Sequence, residues 1–136
     1  MTTTDTIRAG HPARRRANIA LWIVQGVTAV AVVGAGLATV GGAAQPVEIF
    51  EEIGAGEWFR YLTGALEVAG GLGLLIPRLC GLAGLALVGL WLGAIATHLL
   101  VISGNPAAAA VFLLLVAVIA YARRGRTVAL VKGFIR

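Results

Sequence analysis

Residues 79–122 read LCGLAGLALVGLWLGAIATHLLVISGNPAAAAVFLLLVAVIAYA, 44 positions without one Asp, Glu, Lys or Arg. A helix needs about 20 predominantly apolar residues to cross the hydrocarbon core of a bilayer. The stretch is about twice that long, and it is broken by four consecutive turn-forming residues, Ser103-Gly104-Asn105-Pro106. It therefore reads as two spans, about 79–102 and about 106–123. The second is short, so it runs nearly perpendicular to the bilayer or begins inside the interface.

Outward from this stretch, Pro77-Arg78 ends a third apolar segment, 58–76, because proline disfavours a helical residue before it. Only a very short turn separates this segment from the next, so the two form an antiparallel hairpin. A second charge-free run, Ala17 to Val47, holds one span at 18–40. It is longer than the roughly 7–15 apolar residues of a secretory signal, so it reads as a retained helix. The expectation is an all-α fold: a four-transmembrane-helix bundle, up-down-up-down. Its parts are a disordered basic amino-terminal tail (1–16), the transmembrane domain (17–124) and a basic carboxy-terminal tail (125–136), whose Lys132 and Arg136 suit an anionic lipid surface.

Composition agrees. The chain is 59% hydrophobic and 12% charged, with a mean hydropathy of +0.91. That excludes intrinsic disorder and argues against a water-soluble globule. The net charge of +5 does not indicate a nucleic-acid module, because the basic residues sit mostly at the chain ends. In the four-span reading, Arg8, Arg14, Arg15, Arg16, Arg78, Arg123, Arg124, Arg126, Lys132 and Arg136 share one side, and Arg60 alone lies on the other. The positive-inside rule then places both termini in the cytoplasm and the protein in the inner (cytoplasmic) membrane. The outer side holds the 41–57 loop with Glu48, Glu51, Glu52 and Glu57. Trp58, Phe59 and Tyr61 mark the outer interface, Trp22 and Tyr121 the inner one.

Association of such helices rests on close packing over small residues. Gly89 and Gly93 with Thr97, Gly34 with Ala38, and Gly64, Gly70, Gly71 and Gly73 are expected to bring helix axes together. No internal repeat is evident, which disfavours an inverted-repeat transporter.

Some side chains do not belong in oil. Glu67 lies near the middle of the 58–76 segment, roughly 16 Å into the membrane from Arg78. An ionised carboxylate there costs about 2.5–3.5 kcal/mol on insertion scales, so it must be protonated, paired or wet. Arg60, Thr63, Gly64 and Glu67 recur at i, i+3, i+4 and i+7 and share one helix face. His98 descends on the neighbouring antiparallel helix to a depth between Arg60 and Glu67, with Trp91, Ala94 and Ile95 on its face. The expectation is a pocket open toward the outer leaflet, lined by Arg60, Thr63, Glu67, Trp91 and His98, with Gln25 closing its floor. The bland readings stand beside it. Arg60 snorkels to the headgroups and pairs with Glu57; His98 is interhelical glue; Thr63, Trp91 and Gln25 are packing or interhelical hydrogen bonds. Cys80, the single cysteine, reads as a small apolar residue and excludes an internal disulfide or multi-cysteine metal site. No catalytic residue and no metal site is read.

The stretch Gly64-Ala65-Leu66-Glu67-Val68-Ala69-Gly70-Gly71-Leu72-Gly73-Leu74-Leu75-Ile76-Pro77-Arg78 resembles the second-helix signature of the DoxX-like membrane proteins. Ala94-Ile95-Ala96-Thr97-His98-Leu99 resembles an Ala-Thr-His segment in the third helix of that family, and Phe50-Glu51-Glu52-Ile53-Gly54 followed by Trp58 resembles its first loop. The likeness covers about residues 18–124. It implies a four-helix membrane bundle. Some members are subunits of thiosulfate:quinone oxidoreductases or join membrane complexes that handle thiols and oxidative stress. By position it carries over Glu67 and His98 as the candidate site. The chain departs from any self-contained thiol oxidase in having no paired cysteines.

The functional expectation is a redox- or quinone-associated accessory subunit, not an enzyme on its own. Glu67 and His98 would hydrogen-bond a quinone or carry its protons. Two alternatives stay open: a structural scaffold without chemistry, and a small proton-coupled transporter using Glu67. The expected partners are the bilayer and other membrane or membrane-associated subunits, or a second copy of the chain.

Overall fold

The computed structural model describes residues 11–102 and 104–135, and within these every regular element is a helix. In chain order they are α1 (His11–Gly41), α2 (Ala44–Ile53), α3 (Glu57–Leu74), α4 (Cys80–Leu100), α5 (Ala107–Ala122) and α6 (Arg124–Ile135). The turn 75–79 carries Pro77-Arg78, as the proline dictates. The Asn105 side chain accepts the Ala107 N–H at 3.0 Å, which helps start α5. Ser103 of the expected turn lies outside the described residues.

Two boundaries differ from expectation. Helix α1 reaches back to His11, so residues 11–16 are helical and not an irregular tail; Pro12 is tolerated because the first turn of a helix has no N–H partner to lose. Residues 1–10 of that tail lie outside the described residues. The expected outer loop 41–57 contains α2, whose Pro46, Val47, Ile49, Phe50 and Ile53 are half-buried while Glu48, Glu51 and Glu52 face outward. Helix α2 is entered from Gly42 and left through Gly54 and Gly56, all at positive φ (80°, 76° and 104°), where a side chain would be strained.

Helix α1 packs along α3, α4 along α5, and α3 against α4. Gly36 faces Gly64 while Val33 faces Gly71, so α1 and α3 run antiparallel. The Gly73–Ala83 and Gly70–Leu87 contacts do the same for α3 and α4, as do Gly84–Ala120 and the Trp91–Phe112 stack for α4 and α5. The close approaches use Gly36, Gly64, Gly70, Gly71, Gly73, Gly81 and Gly84. Gly34, Gly89 and Gly93, expected to do likewise, meet nothing within 4 Å of an added Cβ. A small-residue spacing says that a helix can be approached, not that it is.

The exterior is apolar, unlike that of a water-soluble protein, around a core of Val32, Leu74, Leu87, Val116 and Ile119 that also holds polar side chains. On α1, Gln25, Thr28 and Thr39 are buried, while Ile19, Ile23, Val27, Val30 and Leu37 are exposed. Leu62, Leu66 and Leu72 of α3 and Leu114 and Val118 of α5 face out as well. Such an apolar exterior calls for lipid or another apolar surface against it. Helix α1 from Pro12 onward and helix α4 are long and apolar enough to cross a membrane, and α5 with α6, bent by 62°, supply a third span if taken together. Helix α3 falls short on composition because Glu57, Arg60 and Glu67 sit within 18 residues.

Candidate functional site

Helix α3 presents Arg60, Gly64, Glu67 and Gly71 on one buried face, and their spacing sets them one above another. The face meets α1. A Cβ on Gly64 would lie 2.5 Å from Val40 Cγ2 and 2.9 Å from the Gly36 carbonyl oxygen, so the two backbones touch there. This contact brings Thr39 beside Glu67. The Thr39 hydroxyl stands 2.9 Å from the Ala35 carbonyl and 3.3 Å from Glu67 Oε2. It has one proton to give. The Ala35 carbonyl, at the shorter distance, is the better placed of its two acceptors.

Arg60 is 6% exposed, and Nη1 donates to the carbonyls of Thr39 and, at 3.3 Å, Val40. It therefore sits at the carboxy-terminal end of α1, where unpaired carbonyls and the negative pole of the helix favour a cation. Its guanidinium also lies 4.5 Å from the centre of the Tyr61 ring.

A cleft of about 380 Å³ opens between α2, α3 and α4. Thr63, Glu67, Trp91 and His98 all line it, among apolar neighbours such as Phe50 and Leu66. Four of the five residues expected to share a pocket are thus on one cleft. Arg60 is not; it lines a separate hollow of about 260 Å³ with Val47, Phe50 and Glu51. The spacing on α3 placed Arg60 with Glu67 correctly on one face, but that face turns toward α1 more than toward α4. Gln25 does not close the floor either.

Within the cleft, Thr63 donates to the Phe59 carbonyl at 2.8 Å. Trp91 is 8% exposed and stacks on Phe112 at 4.6 Å and 9°. His98 Nδ1 lies 2.8 Å from the Ala94 carbonyl. A carbonyl only accepts, so Nδ1 carries the hydrogen, and in the neutral ring Nε2 is then an acceptor. Gly89 and Gly93 form part of the wall, so the space exists where side chains are missing.

A second polar cluster, which sequence reasoning missed, ties the opposite ends of α1, α3 and α5. Gln25 is fully buried; its Nε2 donates to the Leu74 carbonyl at 2.8 Å, and its Oε1 accepts from Arg123 Nε at 2.6 Å. Arg123 also donates to Asn18 Oδ1 at 2.9 Å and lies 4.9 Å from the centre of the Trp22 ring. The available signal was the recurrence of Asn18, Trp22 and Gln25 on one face of an otherwise apolar helix. Cys80 is buried, with its thiol 3.4 Å from the Pro77 carbonyl, in line with a small packing residue.

The apolar helices and their outward leucines make this a membrane protein. The model of the DoxX-like family matches residues 23–127, which is more than half of the chain and includes both polar clusters except Asn18 and Trp22. No curated protein and no solved structure matches it.

Proposed function

We propose that this chain, which belongs to the DoxX-like family, is a membrane-embedded accessory subunit that holds a quinone-type molecule in the cleft between α2, α3 and α4. The observation that carries this reading is the cleft itself, a mostly apolar space with Glu67, Thr63 and His98 on its wall. An apolar site with a few convergent polar groups is the usual form of a small-molecule pocket. A quinone supplies the matching pattern: a flat apolar ring with an oxygen at each side. His98, with its Nδ1 hydrogen committed to Ala94, offers Nε2 as an acceptor and so favours the hydroxyl of the reduced form. Glu67 supplies the second polar position and a group able to exchange a proton.

This reading sets α1, α3, α4 and α5 as four spans, up-down-up-down, with both termini on the cytoplasmic side. The charges of α3 are no obstacle to its crossing. Arg60 and Glu67 are both 6% exposed, while Leu62, Leu66 and Leu72 face outward. What lipid would touch is therefore apolar, even though the sequence average is not. At about 1.5 Å per residue α3 is roughly 27 Å long, close to the hydrocarbon thickness.

The test is binding of short-chain quinol and quinone analogues to the full chain in lipid nanodiscs, by equilibrium dialysis. Quinol is expected to bind more tightly than quinone, and E67Q and H98A each to weaken quinol binding about tenfold. No saturable binding, or equal binding by both variants and the parent, would remove the reading and leave a structural subunit.

A further inference from the structure

We propose that the groove between the 75–79 turn and α6 is a binding site for a phosphate-bearing anion, with an anionic lipid headgroup as the occupant that its walls suit best. Pro77, Arg78, Arg126, Ala129 and Leu130 line this groove, which has a volume of about 290 Å³. The inference is independent of the cleft and concerns the other end of the molecule.

The argument is electrostatic. Arg78 precedes the start of α4 at Cys80, and Arg126 is in the first turn of α6. A helix start carries the positive pole of the backbone dipole, which disfavours cations and attracts anions. The two starts lie side by side: a Cβ on Gly81 would come 2.6 Å from the Arg123 carbonyl oxygen and 3.2 Å from the Thr127 nitrogen. Arg123 adds a third cation next to these starts, although it does not line the groove and its Nε and Nη1 are held by Gln25 and Asn18. It is 7% exposed, and its Nη2 is buried without a hydrogen-bond partner among the described residues. Arg123 and Arg126 both lie against Trp22, at 4.9 and 5.6 Å from the ring centre.

Among the described residues no acidic side chain on the 75–79 turn, α4, α5 or α6 offsets this charge, and the carboxy-terminal ends of α3 and α5 at this end of the molecule reduce it only in part. The acids among the described residues are Glu48, Glu51, Glu52, Glu57 and Glu67, all on α2 and α3 and all before the groove-forming turn. Arg126 Nη1 donates to the Pro77 carbonyl at 2.7 Å, which fixes the guanidinium at the groove and leaves its other nitrogens to donate. Arg78 is exposed at the rim. Two guanidinium groups on one concave surface match the oxygens of a phosphate. Ala129 and Leu130 add an apolar wall that a free phosphate has no use for. The same helix, α6, also exposes Val128, Val131, Phe134 and Ile135, so acyl chains would lie next to a headgroup held here.

The experiment uses the full chain purified in a neutral detergent, with native mass spectrometry of the lipid it retains from equal mixtures of phosphatidylglycerol and phosphatidylcholine. The variants are R78Q, R126Q and, as a control of equal charge change, R124Q. Arg124 stacks on Tyr121 at 4.1 Å and does not line the groove. R78Q and R126Q are each expected to lower phosphatidylglycerol retention about tenfold, and R124Q less than twofold. R126Q also removes the bond to Pro77, whereas Arg78 is exposed, so R78Q reads the site without that disturbance. A parallel arm adds inorganic phosphate at millimolar concentration. Displacement of the lipid by phosphate, with the same two variants abolishing it, assigns the site to free phosphate. An equal loss in all three variants, or no preference for phosphatidylglycerol together with no effect of phosphate, overturns the proposal.

Discussion

Gly64→Ala tests the packing on which the position of Glu67 depends. The added methyl would sit 2.5 Å from Val40 Cγ2, 2.9 Å from the Gly36 carbonyl oxygen and 3.1 Å from the Val40 nitrogen. Two of these three atoms are backbone, and the third belongs to a β-branched side chain with little rotamer freedom in a helix. The methyl can therefore be housed only by moving α1 and α3 apart. Overpacking of this kind costs about 1–3 kcal/mol, and the gain in helix propensity from Gly to Ala returns about 1 kcal/mol. The net expectation is a loss of up to about 2 kcal/mol. Gly89→Ala makes the same chemical change where nothing lies within 4 Å, so it keeps only the propensity gain. Thermal unfolding of both variants in one detergent, followed by intrinsic fluorescence, should place G64A up to roughly 5 °C below the parent and G89A level with it or above. Equal melting temperatures, or a G89A protein that melts lower than G64A, would refute the assignment of the α1–α3 contact as the tight one.

Two further predictions concern the polar clusters. Gln25→Leu conserves volume but leaves the Leu74 carbonyl and Arg123 Nε without their partners; unfolding measurements should show a loss of about 2–4 kcal/mol. Arg60→Met uncaps the Thr39 and Val40 carbonyls and should destabilise by about 1–3 kcal/mol in the same assay, with Arg60→Lys recovering part of the loss because it keeps the cation at the end of α1.

The helices were legible in the sequence where charge was absent. The gap 79–122 delimits α4 and α5 to within a few residues, and the gap 17–47 holds most of α1 but misses its first turns and runs on into α2, because insertion in lipid excludes charge from the same stretches that need internally paired backbones. Helix α2 was read as loop because Glu48, Glu51 and Glu52 dominate its composition. Its signal was the i, i+3, i+4 and i+7 recurrence of Pro46, Ile49, Phe50 and Ile53. For the site, periodicity showed which side chains share a face but not which helix that face meets. Thus Thr63, Glu67, Trp91 and His98 reached one cleft, and Arg60 turned instead to the end of α1. Arg123 was invisible for another reason. It ends a run of apolar residues beside further arginines, as membrane-edge cations commonly do, and only the fold discloses that it reaches Asn18 and Gln25 about a hundred positions away.

The manner in which α2 is attached bears on how the protein should be handled. No side chain caps either of its ends, and it is joined to the rest through Gly42, Gly54 and Gly56. Its ring contact is Phe50 against Phe59, at 5.6 Å between centroids. Contacts between apolar groups gain little when the surrounding medium is equally apolar. Short-chain surfactants would compete for the same surface and lift this helix away while the rest of the bundle still looks folded by circular dichroism. Preparations that keep native lipid around the molecule are then the ones in which the cleft beneath α2 can be studied, and a failed binding result in harsh micelles would describe the solvent more than the protein.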